Sequence, residues 1–458
     1  MGFLPCRLLC HDQSSHKFKK SDKYSLNSNN NNSNHQLHSE SSVSSISSQP
    51  SLPSVPSLEI SIQQQQHNLS RNLSRHQYDV VATLKAHSSY ISSLVLAGKF
   101  LYSASSDGTV RLWARDYVPN SLTTPYQSGN NLVVTTNSAV KSLVVCGDKL
   151  FTAHQDHKNR VWKIENDNDD DDDDNNNDNI YKCVATLPTF NDRFLTLFSA
   201  KNYVTVRRHK KSTWVHHNDA VSGLAVSDDG SLLYSASWDR TFKVWRVSDF
   251  KCLESVSNAH DDAVNTIALS SDGHVYTGSA DKKIKAWFKP RGEKRHVLVA
   301  TLEKHRSAVN ALAVSGDGKV LYSGACDRSI LVWEREYHGC GCGGVDCNSC
   351  SGGGQNGNYM VVVGALRGHN KAILCLAVVS DLVCSGSADC SVRVWRRGID
   401  KSYACLAVLE GHRRPVKCLT LALNGSCKSS ENGGSDLGSS YLVYSGSLDC
   451  EIKVYRAP

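Results

Sequence analysis

The feature that most constrains this chain is a unit of about forty residues that recurs along most of its length. In the copy from His217 to Trp245, three apolar runs of strand length are separated by turn-forming residues. The first turn ends in Gly230, which can adopt positive φ, and the second contains Asp239, a side-chain acceptor for turn amides. A repeat of this period is typical of solenoids and propellers.

Seven copies share the same ordered set of a His, a Ser or Thr, an Asp and a closing aromatic residue. In the second copy a Thr stands at the His position, and in the last copy a Tyr replaces the Trp. The sets are, in chain order, His87, Ser103, Asp107 and Trp113; Thr136, Thr152, Asp156 and Trp162; His217, Ser235, Asp239 and Trp245; His260, Thr277, Asp281 and Trp287; His305, Ser323, Asp327 and Trp333; His369, Ser385, Asp389 and Trp395; and His412, Ser445, Asp449 and Tyr455.

These units resemble WD40 repeats, in which the strands follow the order d–a–b–c, a His lies in the d–a loop and an Asp in the b–c turn. The resemblance implies an all-β fold, a β-propeller with four antiparallel strands per blade. It also implies that each set is a buried hydrogen-bond network that stabilises a blade. In isolation the sets would suggest hydrolase triads, but we interpret them as structural and predict a protein that is not an enzyme.

The number of blades is open at this stage, because residues 183–216 form a degenerate unit. The segment at 183–187 matches a d strand, FLTLF at 194–198 could be an a strand, and YVTVRR at 203–208 could be a later strand. No Asp turn or closing Trp follows. Either this unit is a stunted eighth blade, or 163–212 is an excursion within a seven-bladed ring.

The composition divides the chain into two regions. Residues 1–77 are rich in Ser, Asn and Gln and are predicted to be disordered, whereas 78–458 form the propeller. The strand predicted at 78–84 has no a–b–c set before it, and we expect it to pair with the last blade and close the ring. Four insertions are expected at 116–130, 163–179, 338–358 and 424–440.

Bulk properties limit the compartment and the chemistry. No apolar run is long enough for a membrane span, and no secretory signal is apparent, so the 17 cysteines are expected to be reduced thiols in the cytoplasm and nucleus. Four cysteines in the 338–358 insertion, with C-x-C and C-x-x-C spacing, could chelate zinc. The glycines around them favour a flexible loop instead, and no cofactor is predicted. They are Cys340, Cys342, Cys347 and Cys350.

Partner binding is expected on the face formed by the d–a loops and b–c turns. Trp238 precedes the turn Asp of its unit, and a large aromatic residue in a turn is a typical hot spot. Acids on two units and bases on later units predict a polarised surface. The candidate residues around Trp238 are Tyr90, Asp219, Asp261, Asp262, Arg306, Lys371, Arg413 and Arg414.

Beyond the repeat, several stretches resemble the JINGUBANG-like WD40 proteins of plants. The resembling segments are NYVTVRRHKK at 202–211, DAVSGLAVS at 219–227, YSASWDRTFKVWR at 234–246, AVNALAVS at 308–315 and YSGACDRSILVWER at 322–335. This resemblance implies a non-enzymatic regulator that acts through protein partners. It further implies restraint of pollen germination and binding of transcription factors in the nucleus and cytoplasm.

Two functions of different class therefore remain. The first is an interaction scaffold or regulator whose loops capture another protein. The second is a basic propeller that binds an anionic ligand, nucleic acid or phosphoinositide, because the net charge is +7 and a basic cluster is present at Arg207, Arg208, Lys210 and Lys211. Nucleic acid is the less favoured partner, and the oligomeric state is left open.

Overall fold

The computed structural model describes residues 55–59, 80–115, 131–165, 180–207, 210–336, 359–423 and 441–457. Within these ranges, thirty strands form seven four-stranded antiparallel sheets and one two-stranded hairpin. The first strand of each sheet contacts the first strand of the next, and the seventh sheet contacts the first in the same way. The sheets are therefore the blades of a closed seven-bladed β-propeller, with strand a of each blade innermost.

The chain enters the ring with β1 (Val80–Lys85), the outermost strand of blade 7. Blades 1 and 2 follow in the order a, b, c, d. Their strands are β2 (Ile91–Ala97), β3 (Phe100–Ser105), β4 (Thr109–Ala114) and β5 (Leu132–Thr135), then β6 (Val140–Cys146), β7 (Lys149–His154), β8 (Asn159–Glu165) and β9 (Ile180–Leu187).

An insert separates blades 2 and 3. It contains helix α1 (Phe190–Leu197), a 3-10 turn (Ala200–Asn202) and the hairpin of β10 (Tyr203–Arg207) and β11 (Lys210–Thr213). Because β9 completes blade 2 and β10 pairs only with β11 among the described strands, the degenerate unit is not an eighth blade. The ring is seven-bladed.

Blades 3 to 7 complete the ring. Their strands are β12 (Val221–Val226), β13 (Leu232–Ser237), β14 (Phe242–Arg246) and β15 (Cys252–Val256); β16 (Val264–Leu269), β17 (Val275–Ser279), β18 (Ile284–Phe288) and β19 (Val297–Leu302); β20 (Val309–Val314), β21 (Val320–Ala325), β22 (Ile330–Glu336) and β23 (Tyr359–Leu366); β24 (Ile373–Val379), β25 (Leu382–Ser387), β26 (Val392–Arg397) and β27 (Tyr403–Leu409); and β28 (Val416–Leu423), β29 (Tyr441–Ser447) and β30 (Glu451–Ala457).

Blade 7 is built from both ends of the described propeller. β1 pairs antiparallel with β30, with Leu84 opposite Ile452 and Lys85 opposite Glu451. The N-terminal strand therefore supplies the outermost strand of the last blade, which ties the two ends of the ring together. Strand pairing of this kind removes the exposed edge that β30 would otherwise present.

The hydrophobic core lies between neighbouring blades. Strand b is buried along nearly its whole length in every blade, because both of its faces pack against an adjacent sheet. One cluster joins Phe151 of blade 2 to Leu233 and Trp245 of blade 3, and equivalent clusters join the other neighbours. Burial on both faces explains why strand b reads as a continuous apolar and small-residue run rather than as an alternating one.

Every a–b strand pair carries a β-bulge at the same place. The register shifts between the first and third residues of strand a, so that the second residue has no partner on strand b. A bulge re-aims the side chain of the extra residue. The seven bulge residues are Ser92, Lys141, Ser222, Asn265, Asn310, Leu374 and Lys417.

The prediction of a strand at FLTLF is wrong, because residues 194–197 lie in α1 and Phe198 is its C-terminal cap. Thr189 caps the helix by accepting a hydrogen bond from the Asp192 N–H at 3.2 Å. Phe190, Phe194 and Phe198 also recur every fourth residue, which is helical spacing. The prediction of a strand at YVTVRR agrees with β10, which begins at Tyr203.

Several predictions fall outside the described residues. The insertions predicted at 116–130, 338–358 and 424–440 lie outside the described residues, and so does the part of 163–179 that follows Glu165. The predicted disordered tail does so as well, except for residues 55–59, which lie extended against blades 5 and 6. Among the described residues, α1 is too short and too polar to cross a membrane, and no other helix could do so.

Candidate functional site

The loop face is the face of the ring formed by the d–a loops, such as 86–90 and 218–220, and by the b–c turns, such as 106–108 and 238–241. In blade 3 a buried hydrogen-bond set supports this face. The His217 ring places Nδ1 3.1 Å from Asp239 Oδ2 and Nε2 2.8 Å from Ser235 Oγ. The indole N–H of Trp245 donates to the same hydroxyl at 2.9 Å.

Asp239 also accepts hydrogen bonds from the backbone N–H groups of Asn218 and Thr241, so one carboxylate joins the d–a loop to the b–c turn. Burial alone would raise the pKa of Asp239, but its interaction with the His217 ring holds it well below its usual range. Burial lowers the pKa of His217. A neutral imidazole that donates to Asp239 and accepts from Ser235 therefore satisfies the whole set.

The same set recurs in blades 1, 4, 5, 6 and 7. The His Nδ1 to Asp Oδ2 distances are 2.8–3.2 Å, and the His Nε2 to hydroxyl distances are 2.7–2.9 Å. In blade 7, Tyr455 replaces the Trp and donates its hydroxyl proton to the Glu410 carbonyl. Each Ser or Thr of these sets is fully buried, so the sets hold the loops in place and offer no nucleophile to a substrate.

Blade 2 builds its set from different elements, which the sequence did not predict. Thr136, at the His position, donates to the carbonyls of Gly108 and Ser138. The imidazole comes instead from His154 at the end of β7, with Nε2 2.8 Å from Thr152 Oγ1 and Nδ1 3.3 Å from the Ser138 carbonyl. Burial, followed by the charge of Arg160, lowers the pKa of His154 to about 4.

Trp238 lies at the centre of an aromatic and cationic cluster that joins blades 1, 2 and 3. The ammonium of Lys141, a bulge residue of blade 2, lies 5.6 Å from the centre of the Trp238 ring and 5.7 Å from that of Tyr90. Lys141 also donates to the Tyr90 hydroxyl at 3.0 Å. Trp238 is half-buried, so part of its ring remains accessible beside the Lys141 ammonium of the neighbouring blade.

The pKa of Tyr90 reflects the positive charge of this cluster. Burial opposes ionisation of its phenol, yet the nearby Lys141 ammonium outweighs burial, and the pKa of Tyr90 is lowered. Lys417, the bulge residue of blade 7, adds to the same effect. Lys141 and Lys417 are the bulge residues of blades 2 and 7, the two neighbours of blade 1, and both contribute positive charge near Tyr90.

The sequence analysis missed both lysines, although the signal was present. Aligning the second residue of strand a across the repeats shows a lysine only in blades 2 and 7. In blades 3, 4 and 5 the bulge side chains of Ser222, Asn265 and Asn310 donate to the backbone carbonyl of the next blade's strand a. Polar bulge residues there bind neighbouring blades together, whereas Lys141 contacts Tyr90.

The predicted charged residues occupy equivalent d–a loops in different blades. The acids belong to blades 3 and 4 and the bases to blades 5, 6 and 7. Asp262 is half-buried and the others are exposed. The backbone N–H groups of Arg306 and Arg413 donate to the turn carboxylates of their blades, which fixes the loops from which the guanidinium groups project. The residues are Asp219, Asp261, Asp262, Arg306, Lys371, Arg413 and Arg414.

The predicted basic cluster belongs to the insert rather than to a blade. Arg207 and Lys210 pair across the end of the β10–β11 hairpin, and the side chain of Lys211 is exposed. Arg208 lies outside the described residues, as do the side chains of Arg207 and Lys210. These bases therefore belong to the insert and precede blade 3, whereas Trp238 belongs to blade 3 itself.

The insert also carries an apolar surface that the sequence analysis did not identify. Phe190 and Phe194 stack along α1 with ring centres 6.1 Å apart, and Phe194 and Phe198 meet edge to face at 5.0 Å. Phe190 and Phe198 are about three-quarters exposed. Asp192 anchors the opposite side of the helix by accepting the backbone N–H of Cys252 on β15 at 3.0 Å. Helical spacing of the three Phe residues was the signal that could have revealed this surface.

The four cysteines proposed as a weak metal site, Cys340, Cys342, Cys347 and Cys350, lie outside the described residues. In the part of the chain that the structure describes, no group of three or more His, Cys, Asp or Glu residues is arranged to hold a metal ion. Every cysteine in that part carries a free thiol, and burial raises the pKa of Cys252 and Cys375 to about 12.

Comparison with known families agrees with this architecture. The family described as WD domain, G-beta repeat matches six segments that together cover more than half of the chain. They are residues 78–114, 208–246, 250–287, 296–334, 360–396 and 403–456. The chain belongs to the WD40-repeat family. Its matched segments leave out 115–207, which contains most of blade 2 with its substituted hydrogen-bond set, and most of the insert.

Similar WD40-type relatives share only part of their length with this protein. Protein HIRA of Dictyostelium discoideum is 28% identical over 145 residues, which are 27% of this chain and 13% of that protein. Zinc finger CCCH domain-containing protein 62 of Arabidopsis thaliana is 26% identical over 179 residues, 39% of this chain and 37% of that protein. The 66 kDa stress protein of Physarum polycephalum is 24% identical over 320 residues, 68% and 47% of the two chains. The chain thus spans less than half of each of these relatives.

Proposed function

We propose that this WD40 protein is a non-enzymatic scaffold that captures a protein partner on the loop face, centred on Trp238. The observation that carries this proposal is the cluster of Trp238, Lys141 and Tyr90, which joins three blades and remains half-exposed. WD40 propellers typically act as interaction scaffolds, and the aromatic and cationic character of this cluster supports the loop face as the binding surface.

The chemistry of the cluster suits a protein partner. Trp and Tyr contribute large contact areas at little cost in side-chain entropy, and they are enriched among residues that dominate binding energy. The ammonium of Lys141 already lies near both rings, so the site is pre-organised before a partner arrives. A partner with an apolar or aromatic anchor and adjacent acidic groups would match this surface.

The charged loops would orient such a partner. Exposed acids lie on blades 3 and 4, whereas exposed arginines and a lysine lie on blades 5, 6 and 7. Rim charges of opposite sign on two sides of a face change association rate and orientation more than affinity. The partner should therefore present basic groups towards Asp219 and Asp261 and acidic groups towards Arg306 and Arg413.

We further propose a role in plant signalling or transcription regulation, in cytoplasm and nucleus, with transcription factors among the partners. The support is the resemblance of segments such as 202–211 and 234–246 to the JINGUBANG-like proteins, which also suggests restraint of pollen germination.

The test is affinity capture from plant extract by the full chain, comparing the parent protein with Trp238→Ala and Lys141→Met. Phe190→Ala, which removes an exposed aromatic ring from the insert, is the matched control. Circular dichroism checks that all four proteins are folded. Proteins retained by the parent and the control but lost by both loop-face variants would support the scaffold. Equal retention by all four would contradict it.

The second candidate function, binding of an anionic ligand, is favoured by the +7 net charge and the exposed Lys211 of the insert hairpin. Replacing Arg207, Arg208, Lys210 and Lys211 with Gln would weaken binding to nucleic acid or phosphoinositide vesicles. Such binding would fall steeply with salt. Capture that is salt-labile, insensitive to Trp238→Ala and lost in the fourfold variant would replace the scaffold proposal with this one.

A further inference from the structure

A short segment that precedes the propeller, Val55–Glu59, lies in a groove between the outermost strands of blades 5 and 6. The Leu58 N–H donates to the Ala365 carbonyl at 3.1 Å, and the Ala365 N–H donates to the Pro56 carbonyl at 2.9 Å. The Tyr403 N–H donates to the Leu58 carbonyl at 3.2 Å. The segment therefore bridges β23 and β27 through backbone hydrogen bonds in a parallel orientation.

The groove has an apolar pocket shaped for Leu58. This side chain packs against the cluster that contains Leu366, Trp395 and Tyr403. Gly364 forms the floor of the pocket, because the three atoms nearest to a Cβ built there all belong to Leu58, the closest at 2.3 Å. A residue larger than glycine at this position would occupy the space that Leu58 now fills.

Polar contacts fix the two ends of the segment. The Arg367 guanidinium donates to the Val55 carbonyl at 2.7 Å, and the Arg367 backbone N–H donates to the Glu59 carboxylate. Pro56 and Ser57, in contrast, have exposed side chains. The groove thus selects an extended backbone, a leucine and a following acid, and it places no demand on the residue between the proline and the leucine.

The segment is not needed to complete a sheet. Blades 5 and 6 each have four strands without it, and Val55–Glu59 adds to outer edges that are otherwise available for pairing. Addition of an extended peptide to an exposed strand edge, with pockets for particular side chains, is a recurring mode of peptide recognition. Residues 60–79 connect the segment to β1, so it binds as a tethered ligand.

We propose that this outer groove is a recognition site for short extended peptides in which a leucine is followed by an acidic residue, occupied in cis by residues 55–59. A partner protein that carries such a segment binds by displacing Val55–Glu59. Tethering gives the cis segment a high effective concentration, so a partner competes only when its peptide is presented at high local concentration or the cis segment is weakened. This site is separate from the loop face and does not depend on the function proposed there.

The test uses the full chain and a fluorescent peptide of residues 53–62, PSVPSLEISI. Leu58→Asp releases the cis segment, because a carboxylate in the apolar pocket carries a large desolvation cost. Fluorescence anisotropy should show the Leu58→Asp chain binding the peptide at least tenfold more tightly than the parent. Ser57→Asp, with the same charge change at an exposed position, should behave as the parent, and a peptide carrying Leu58→Asp should not bind.

Two further measurements test the pocket and the backbone pairing directly. Adding Gly364→Ala to the Leu58→Asp chain should abolish peptide binding, because the new methyl group fills the pocket. Hydrogen exchange at the Ala365 and Tyr403 amides should be at least tenfold faster in Leu58→Asp and should slow again with excess peptide. Failure of the Leu58→Asp chain to bind the peptide, or unchanged exchange at both amides, would overturn the proposal.

Discussion

Blades 2 and 3 are neighbours that solve the same structural problem with different residues. In blade 3, His217 from the d–a loop reaches Asp239 of the b–c turn, and the carboxylate is nearly fully buried. In blade 2, the imidazole is that of His154, on strand b. Asp156 pairs instead with the Arg160 guanidinium at 2.6 Å, and about a third of the Asp156 side chain is exposed. Both blades still tie a buried hydroxyl to a Trp.

The difference shows which part of the set the blade requires. A buried imidazole that bonds the strand-b hydroxyl is present in both blades, whereas the loop His and its Asp partner are present only in blade 3. The substitution frees Thr136 to bind the Gly108 carbonyl of blade 1. Blade 2 also lies in the region 115–207, between two of the segments that match the family.

The largest difference in stability between blades 2 and 3 is expected when the turn aspartate of each is removed. Asp239→Ala would leave His217 and the N–H groups of Asn218 and Thr241 without their acceptor, at a cost of about 3–4 kcal/mol. Asp156→Ala breaks a partly exposed ion pair and should cost about 1 kcal/mol or less. Urea unfolding of the two variants measures the difference. Equal destabilisation would show that blade 2 depends on its Asp as blade 3 does.

The second contrast is in acid stability. The pKa of His154 is about 4 in the folded protein and near 6.5 in the unfolded chain, so the unfolded state binds the proton more readily between these values. The contribution of neutral His154 is complete above pH 6.5 and is lost as pH falls towards 4, about 3 kcal/mol at most. His154→Gln should therefore flatten the fall in unfolding free energy between pH 6.5 and 4. An unchanged slope would contradict the assignment.

A third contrast concerns the residue after each turn Asp. Gly108 has φ +83°, and a Cβ there would lie 2.2 Å from the Thr136 carbonyl oxygen, whereas Arg240 at the same place in blade 3 has φ +69° without such a neighbour. Gly108→Ala should cost about 2 kcal/mol and Arg240→Gly less than about 0.5 kcal/mol. Thermal unfolding of both variants tests whether Thr136 is what confines the turn.

Asn159 should give a change of the opposite sign. It opens β8 at the position of Phe242 in blade 3, is almost fully buried, and its side-chain amide has no hydrogen-bond partner among the described residues. Asn159→Val should stabilise the protein by about 1–2 kcal/mol, since it removes an unsatisfied buried amide. Phe242→Asn, the reverse exchange in blade 3, should destabilise. A loss of stability in Asn159→Val would show that the amide is satisfied.

A small change in stability is expected at Trp238, in the turn of blade 3. Its ring is half-exposed and contacts Lys141 of blade 2 by a cation–π interaction. Trp238→Ala should cost about 1 kcal/mol or less, which is small beside Asp239→Ala one residue away. Unfolding measurements on the two adjacent variants separate a surface role from a structural one. A large loss would mean that the ring is mainly core.

Much of the fold could be predicted from sequence because the repeat makes one inference apply seven times. The order of strands and the network residues are local to each unit, and the propeller class and family are confirmed. The blade count could not be predicted, because residues 183–216 contain strand-like runs whose partners are decided by the rest of the ring. β9 pairs with β8 across the acidic insertion. The FLTLF segment belongs to helix α1 and its cap, and it pairs with no described strand.

The site was predicted only in outline. Trp238 and the charged loops could be named from their positions in the repeat, and their role in binding stays a prediction. Lys141 could not be joined to Trp238 from sequence, because they belong to different blades and meet only through a bulge and the packing of two sheets. His154 was missed for a different reason, because it lies on strand b, two residues from its hydroxyl partner, whereas the repeat pattern places the His in the d–a loop.

The sequence by itself determined the repeated unit: strand lengths, turn positions and the polar sets depend on residues within about forty positions of one another. The order of strands in the repeat also predicted that the strand at 78–84 closes the ring, and β1 pairs with β30. Tertiary structure alone decided what lies beside Trp238 and where Val55–Glu59 docks. Those contacts join blade 2 to blade 3, and a tail segment to residues some three hundred positions away. Periodicity carries no information on such pairs, because they depend on how whole blades pack around the axis.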